Sequence, residues 1–274
     1  MKTLRIGISQ TLHSLPLTRG LDAGGEGYRA IAGRPGDLAD QLRHGKLDAA
    51  LIPSVEFFRG VGDAVVPGLC LASRGADSAF RFLSEGYPEN WSAISVDKGS
   101  RSGVAALRLL LGRSFRVSPD FRSCDLNPDN PLEGPEGKAD GALLIGDAAL
   151  SGEEGRDLGR WWRESFHRPL VHSLWAWRGD EEAGAFLAEL LGDARRRGEA
   201  EREAIAAEEA ARLGLPAERV ADALAASGTE LDGEALEGLR LFHRLCVEEH
   251  LAGRYAGVER ALDALAPARA AAAR

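Results

Sequence analysis

Gly45-Lys46-Leu47-Asp48-Ala49-Ala50-Leu51-Ile52 and, about ninety residues later, Gly137-Lys138-Ala139-Asp140-Gly141-Ala142-Leu143-Leu144-Ile145 are two versions of one phrase. Each opens on a polar Gly-Lys-x-Asp turn and runs into a short unbroken apolar segment, the pattern of a strand covered on both faces. Each closes on a polar loop, Pro53-Ser54-Val55-Glu56 in the first and Gly146-Asp147 in the second. A repeated buried strand predicts an α/β protein of two lobes built on one plan. Ligands of open α/β sheets sit beyond the carboxyl ends of the strands. Both loops are therefore expected to face a cleft between the lobes.

The neighbouring segments fit that plan. Residues 4–9 read as a strand and 10–17 as a polar loop where a first strand meets a ligand. Helical spacing follows over 35–43, with Pro35 in the first turn and Leu38, Ala39 and Leu42 on one face. Residues 65–72, 78–83 and 93–96 read as strands, and Asp97-Lys98-Gly99-Ser100-Arg101-Ser102-Gly103 leads into a helix over 104–111. A strand, a Gly/Ser loop and a helix start can hold an anion on backbone N–H groups and the helix dipole. The spacing is neither that of a P-loop nor of a dinucleotide fingerprint, so no nucleotide is assigned. Residues 115–117 read as a short strand, 118–136 as mostly loop, 158–166 as a helix and 170–177 as a strand. Helices follow from 182 onward, with breaks at Gly214-Leu215-Pro216 and Ser227-Gly228. Hinge crossings are expected at 84–91 and 172–178. This divides the chain into residues 1–86 (first lobe), 87–174 (second lobe) and 175–274 (return to the first lobe and C-terminal helices).

The 274 residues carry a formal net charge of -8, with 44% hydrophobic and 28% charged residues, an ordinary globular balance. The negative excess argues against nucleic acid or an anionic membrane as partner, while a small anionic substrate still suits a locally basic cleft. Cys70, Cys124 and Cys246 are scattered, odd in number and without a CxxC. That argues against a disulfide framework or a thiolate metal site and fits a reducing compartment with buried thiols. The first residues enter a strand with no apolar signal segment, and no stretch approaches the ~20 apolar residues that span a bilayer. The expected location is the cytoplasm.

Several stretches share a further pattern. They are Arg5-Ile6-Gly7, Leu12 with Leu15-Pro16-Leu17 and Gly20-Leu21, Gly45 through Glu56, and Val66-Pro67-Gly68-Leu69-Cys70-Leu71-Ala72-Ser73. In the second half they are Ser100-Arg101-Ser102, the helix of Ala105, Leu107 and Leu109-Leu110-Leu111, Ala139-Asp140 through Leu150, Asp157-Leu158-Gly159, Trp162, Pro169, Val171, Trp175-Ala176 and Arg178. As a set they resemble the menaquinone-biosynthesis enzymes of the futalosine route, the chorismate dehydratase family above all. The resemblance implies a periplasmic-binding-protein-like (type II) fold whose lobes close on a small anionic ligand. The implied reaction is loss of water from chorismate to give 3-(1-carboxyvinyloxy)benzoate. Elimination makes the ring aromatic, so the protein has only to clamp carboxylates, desolvate the substrate and assist proton transfer. No metal or organic cofactor is implied.

This chain departs from the family pattern at the pocket. The asparagine of the first-strand loop falls on His13, and the pocket serine on Ala79, with Ser78 and Arg81 beside it. A Ser-Arg-Thr-Ser run reads Ser100-Arg101-Ser102-Gly103, and a Thr-Gly-Leu-Pro turn reads Phe166-His167-Arg168-Pro169, with His172 where an aromatic follows. His13 is the candidate for acid–base catalysis, because imidazole titrates near neutrality. Candidates for substrate contact are Ser14, Ser54, Ser78, Arg81, Ser100, Arg101, Ser102, Gly103, Gly146, Asp147, His167 and His172. The competing roles are N-capping for the serines at 100–102, a surface ion pair for Arg81, a hinge contact for Glu56, and a loop-fixing carboxylate bonded to backbone N–H groups for Asp147. His243 and His250, seven apart beside Glu248 and Glu249, lack HExxH spacing and are expected on a solvated helix face, not on a metal. The expected function is therefore a hydro-lyase acting on chorismate. A related enzyme for another cyclic or aromatic carboxylate (the menaquinone-route naphthoate synthase among them) and a non-catalytic cytoplasmic solute-binding protein stay open.

Overall fold

The structure, a computed structural model, describes residues 2–76, 79–152 and 155–265. The chain runs through β1 (Leu4–Ile8), a single turn at Leu12–Ser14, α1 (Leu15–Thr18), β2 (Tyr28–Ala32), α2 (Pro35–Arg43), β3 (Ala49–Pro53), α3 (Ser54–Phe58) and β4 (Ala64–Ser73). Next come β5 (Phe80–Ser84), β6 (Ala93–Asp97), α4 (Arg101–Phe115), β7 (Asp120–Cys124), the small hairpin β8 (Glu133–Gly134) and β9 (Gly137–Lys138), and β10 (Gly141–Ile145). α5 (Gly146–Ser151), β11 (Arg156–Asp157), α6 (Leu158–Phe166) and β12 (Leu170–Trp177) follow. The remainder is α7 (Glu181–Ala200), α8 (Arg202–Leu213), α9 (Ala217–Ala226), β13 (Ser227–Glu230), α10 (Gly233–Glu248) and α11 (Ala256–Ala264).

Two mixed sheets organise these elements, one in the order β13-β4-β12-β3-β1-β2 and the other β11-β5-β10-β6-β7. The two echoed segments are β3 and β10, and they hold equivalent places. β3 lies between parallel β1 and antiparallel β12, and β10 between parallel β6 and antiparallel β5. The aspartate of each turn explains why. Asp48 donates its N–H to the Arg5 carbonyl (2.9 Å) and accepts the Arg5 N–H on its carboxylate (2.8 Å). Asp140 donates to the Ala93 carbonyl (2.9 Å) and accepts the Ala93 N–H (3.0 Å). The carbonyl of each then takes the N–H just past the antiparallel neighbour, Arg178 for Asp48 (2.9 Å) and Glu85 for Asp140 (2.8 Å). One residue type thus sets three strands in register, twice.

The first sheet is covered on both faces. Ile6, Ile8, Leu51 and Trp175 pack with Leu187 and Leu191 of α7 on one side. Leu38 and Leu42 of α2, Ile52, Leu174 and Phe242 of α10 belong to the core on the other. Among the described residues no helix is long and apolar enough to cross a membrane.

The structure corrects the expected division of the chain. β5 pairs with β10 and β11, and β12 pairs with β3 and β4. The chain therefore leaves the first sheet after Ser73 and returns at Leu170, ahead of the breaks expected at 86 and 174. Pairing partners decide which sheet a strand joins, and they are not written in the strand's own residues. Residues 115–117 end α4 with Arg116 in a left-handed conformation instead of forming a strand. β7 and β13 occupy stretches expected to be a loop and a helix break, β2 was not foreseen, and Glu201 separates α7 from α8.

The Arg5 guanidinium also bonds the Asp48 carboxylate, through Nε at 2.9 Å. Hydrogen bonds and charge from Arg5 hold that carboxyl down at about 2 against its ordinary 3.8, with burial opposing. A depressed carboxyl pKa stabilises the fold above 3.8 and loses that contribution as pH falls through about 2. Asp48→Asn is expected to cost about 1 kcal/mol at pH 7, a value reduced by solvent screening. Urea denaturation should find the gap between wild type and variant closing as pH is lowered from 4 towards 2, and a constant gap would contradict the assignment.

Candidate functional site

A cleft of about 80 Å3 opens where the carboxyl ends of both sheets meet. Ser9, Thr11 and His13 reach it from the loop after β1, and Pro53 from the end of β3. Gly99 to Ser102 reach it from the β6–α4 junction, Ile145 and Gly146 from the end of β10, and His172 and Ser173 from β12. Leu51, Leu71, Ala79 and Phe80 make its apolar wall. An outer recess of about 560 Å3 shares Ser9, Thr11, Gly99, Ile145 and Gly146 with it. The echoed loops thus both contribute, as the strand pattern predicted.

The β6–α4 junction presents a Gly/Ser loop and a helix start to the cleft. Gly99 N–H is tied to the Asp97 carboxylate at 2.7 Å, and Ser100 N–H to the Asp97 carbonyl at 2.9 Å, which shapes the loop. In the first turn of α4, which lines the cleft, the Arg101 N–H is bonded to the Gly99 carbonyl (3.0 Å) and the Val104 N–H to the Ser100 carbonyl (2.8 Å). Ser100 stands at the N-cap position but makes no side-chain cap bond, and its buried hydroxyl has no partner among the described residues. The N-capping role is therefore not used. Ser102 Oγ accepts the Val55 N–H at 3.3 Å, joining α4 to α3 across the halves. Gly103 does not line the cleft but lets β5 approach: a Cβ there would sit 2.7 Å from the Phe80 ring and 2.6 Å from Ser100 Oγ.

Two histidines share this cleft. His13, 3% exposed, is on the single turn after β1, and His172, 5% exposed, is on β12. The pairing of β12 with β4 shifts register between Val171 and Ser173. The irregularity sits at His172 and, as bulges do, re-aims a side chain, so that both His172 and Ser173 face the cleft. His172 Nδ1 is 3.2 Å from Ser173 Oγ, its ring meets Phe80 edge to face at 5.0 Å, and Nε2 is buried with no partner among the described residues. Burial, reinforced by His13, lowers the His172 pKa to about 3, so the ring is neutral at physiological pH.

The other candidates lie elsewhere. Ser14 Oγ lies 2.7 Å from the Thr11 carbonyl and 2.9 Å from that of Ser9, which share its one proton, so it shapes the His13 loop instead of meeting a ligand. Ser54 follows the lining Pro53, its hydroxyl buried and unpaired among the described residues. Arg81 donates Nε to the Ala149 carbonyl at 3.0 Å and is turned towards α5. Arg101 lines the cleft, yet its guanidinium points outward to Asp40 (2.6 and 3.0 Å) and Glu56 (3.4 Å). Gly146 lines the cleft with a positive φ of 57°. Asp147 gives its carboxylate to Arg212 at 2.7 Å instead of to backbone N–H groups. His167 is exposed and takes the left-handed C-cap of α6, which turns it out of the cleft. Ser78 lies outside the described residues. His243 is buried against Phe58 at 5.0 Å, not solvated as expected, and His250 follows α10 with φ 57°. Among the described residues no group of histidine, cysteine and acidic side chains is placed to hold a metal.

A family profile described as menaquinone biosynthesis matches residues 4–248. The chain belongs to the menaquinone-biosynthesis family. A chorismate dehydratase of Thermus thermophilus is 26% identical over 212 residues, covering 69% of this chain and 76% of that protein. Protein AF1704 of Archaeoglobus fulgidus superposes with a TM-score of 0.70 at 15% identity, over 91% of this chain and 98% of the other. The alkanesulfonate-binding protein SsuA of Xanthomonas axonopodis pv. citri, bound to MOPS, does so with 0.68 at 18% identity, over 95% and 98%. The fold of this menaquinone-biosynthesis protein is accordingly that of periplasmic binding proteins.

Two outcomes follow from the geometry. Ser100→Ala should weaken binding of a carboxylate in the cleft about tenfold while leaving the Tm within a degree or so, since the hydroxyl caps nothing. A lower Tm with unchanged affinity would return Ser100 to a structural role. A histidine whose folded pKa lies below its unfolded value destabilises the fold as pH drops below 6.5. His172→Phe should remove about 2 kcal/mol of the stability lost between pH 7 and 5, read by denaturation at both pH values.

Proposed function

We propose that this chain is a hydro-lyase of the chorismate dehydratase type, acting in the futalosine route to menaquinone. The observation that carries the reading is that two buried imidazoles, a serine hydroxyl with no partner among the described residues and a helix start line one cleft of a chorismate dehydratase relative. Ser100, Ser102 and the first turn of α4 hold a substrate carboxylate. His13 stands where the family carries its asparagine and moves the proton. Elimination takes a ring C–H proton and breaks the neighbouring C–O bond, and the departing hydroxide leaves with a proton as water. His172, held neutral by burial, offers Nε2 to the reacting end of the substrate. The apolar wall of Leu51, Leu71 and Phe80 keeps bulk water from the developing charge. The cleft alone is smaller than chorismate, and the outer recess takes the remainder of the molecule. The substrate is a small carboxylate, no cofactor enters the reaction, and the site of action is the cytoplasm.

Mixing purified protein with chorismate and following the ultraviolet spectrum and product mass tests this. A product lighter by one water and aromatic is expected. His13→Ala should lower kcat about 10^2–10^4-fold with KM changed only a few-fold, the usual range for a lost general acid or base. Chorismate bound but unchanged would make the chain a solute-binding protein. No binding would assign it to another cyclic carboxylate.

A further inference from the structure

We propose that the recess behind the cleft, between α3, α4 and β7, is a second binding site that takes a planar organic dianion of the aromatic dicarboxylate kind. It holds about 530 Å3 and shares Ser100 and Arg101 with the cleft, but otherwise has walls of its own. Five cations line it, against the carboxylates of Glu56 and Asp97, in a chain whose formal net charge is -8.

The pairings leave positive charge uncompensated. Arg43 (2.7 Å) and Arg59 (2.8 Å) share the single buried carboxylate of Glu56, which Arg101 also reaches at 3.4 Å while it is paired with Asp40 at 2.6 Å. Asp97 is engaged by the Gly99 N–H, and Lys98 pairs with Asp125 outside the recess. Among the described residues no carboxylate lies within ion-pair distance of Arg108, whose guanidinium rests 4.1 Å over the Phe121 ring. Burial lowers its pKa, Asp120 opposing and Arg59 adding to the effect, as expected of a cation short of counter-charge. A guanidinium fork matches a carboxylate bidentately, so Arg108 can take one carboxylate of a rigid diacid, while Arg59, whose Nε donates to the Leu251 carbonyl (3.0 Å) and Nη1 to Glu56 (2.8 Å), offers Nη2 to the other. The apolar surface of Val104, Phe121 and Leu251 supplies a floor for a ring. Inorganic phosphate would meet the charges and leave that floor uncovered.

Occupancy would be felt in the cleft through Arg101. It opens α4, whose first turn lines the cleft, and its guanidinium holds Asp40 and Glu56 of the opposite half. An anion that draws Arg59 away from Glu56 leaves that carboxylate freer for Arg101, so the two sites are coupled, and by linkage reciprocally.

The probe is benzene-1,3-dicarboxylate, titrated calorimetrically into wild type, Arg108→Met and Arg59→Met. The methionine at 108 can still lie on Phe121, and the Tm of each variant checks folding. One binding event is expected to weaken at least tenfold in both variants, and inorganic phosphate to bind the wild type at least tenfold more weakly than the diacid. Binding indifferent to both substitutions would place the diacid in the cleft and overturn the proposal. Phosphate binding as tightly as the diacid would overturn the aromatic assignment. None of these readings depends on the reaction assigned to the cleft.

Discussion

Each sheet depends on an aspartate that bonds one residue of its parallel neighbour twice, once through its own peptide N–H and once through its carboxylate. Asp48 does this to Arg5 and Asp140 to Ala93, and the carbonyl of each reaches on to the antiparallel neighbour. A strand slipped by one residue would turn its whole apolar set to the wrong face. Fixing register at the amino ends therefore also fixes which residues emerge at the carboxyl ends, where the cleft forms. The Gly/Ser junction after β6 and the histidine loop after β1 are the far ends of the two strands so fixed. Site geometry is in this sense set a full strand length away from the site.

What could be read from the sequence divides by position in the sheets. The internal strands β1, β3, β4, β5, β6, β10 and β12 all show as apolar or alternating runs, because they are packed on either side. The edge strands β2, β7, β11 and β13 do not. Tyr28–Ala32, for example, buries only its first residue fully, so its pattern differs little from a loop. The cleft shows the same split. Ser100, Ser102 and Gly146 were legible because they follow internal strands. Arg81, Asp147 and His167 were misplaced because their partners (Ala149, Arg212 and the end of α6) are close only in the fold. Ser173 went unnoticed: strict alternation allows only one of residues 172 and 173 to face the cleft, and a register shift brings both.

The cleft combines groups that water would normally neutralise. A buried polar group without a partner costs on the order of 1–3 kcal/mol, and the Ser100 hydroxyl and the Nε2 of His172 are two such groups in the cleft among the described residues. Such groups are kept where an incoming molecule can satisfy them. His13 adds a second constraint, since charge on it disfavours charge on His172.

The way β4 and β12 lie side by side has a consequence for how the chain is made. Leu170 pairs directly with Ser73, so the whole second sheet is an insertion into what would otherwise be a hairpin of the first. The second sheet needs only contiguous chain and can be complete as soon as α6 has been synthesised. The first cannot, because β12 is its central strand and arrives afterwards. Until then β3 and β4 each lack the same neighbour, and two apolar edges stand open on the growing chain. The insertion that makes a two-sided cleft thus also sets the order of assembly, with the inserted half first and the host half closing around it.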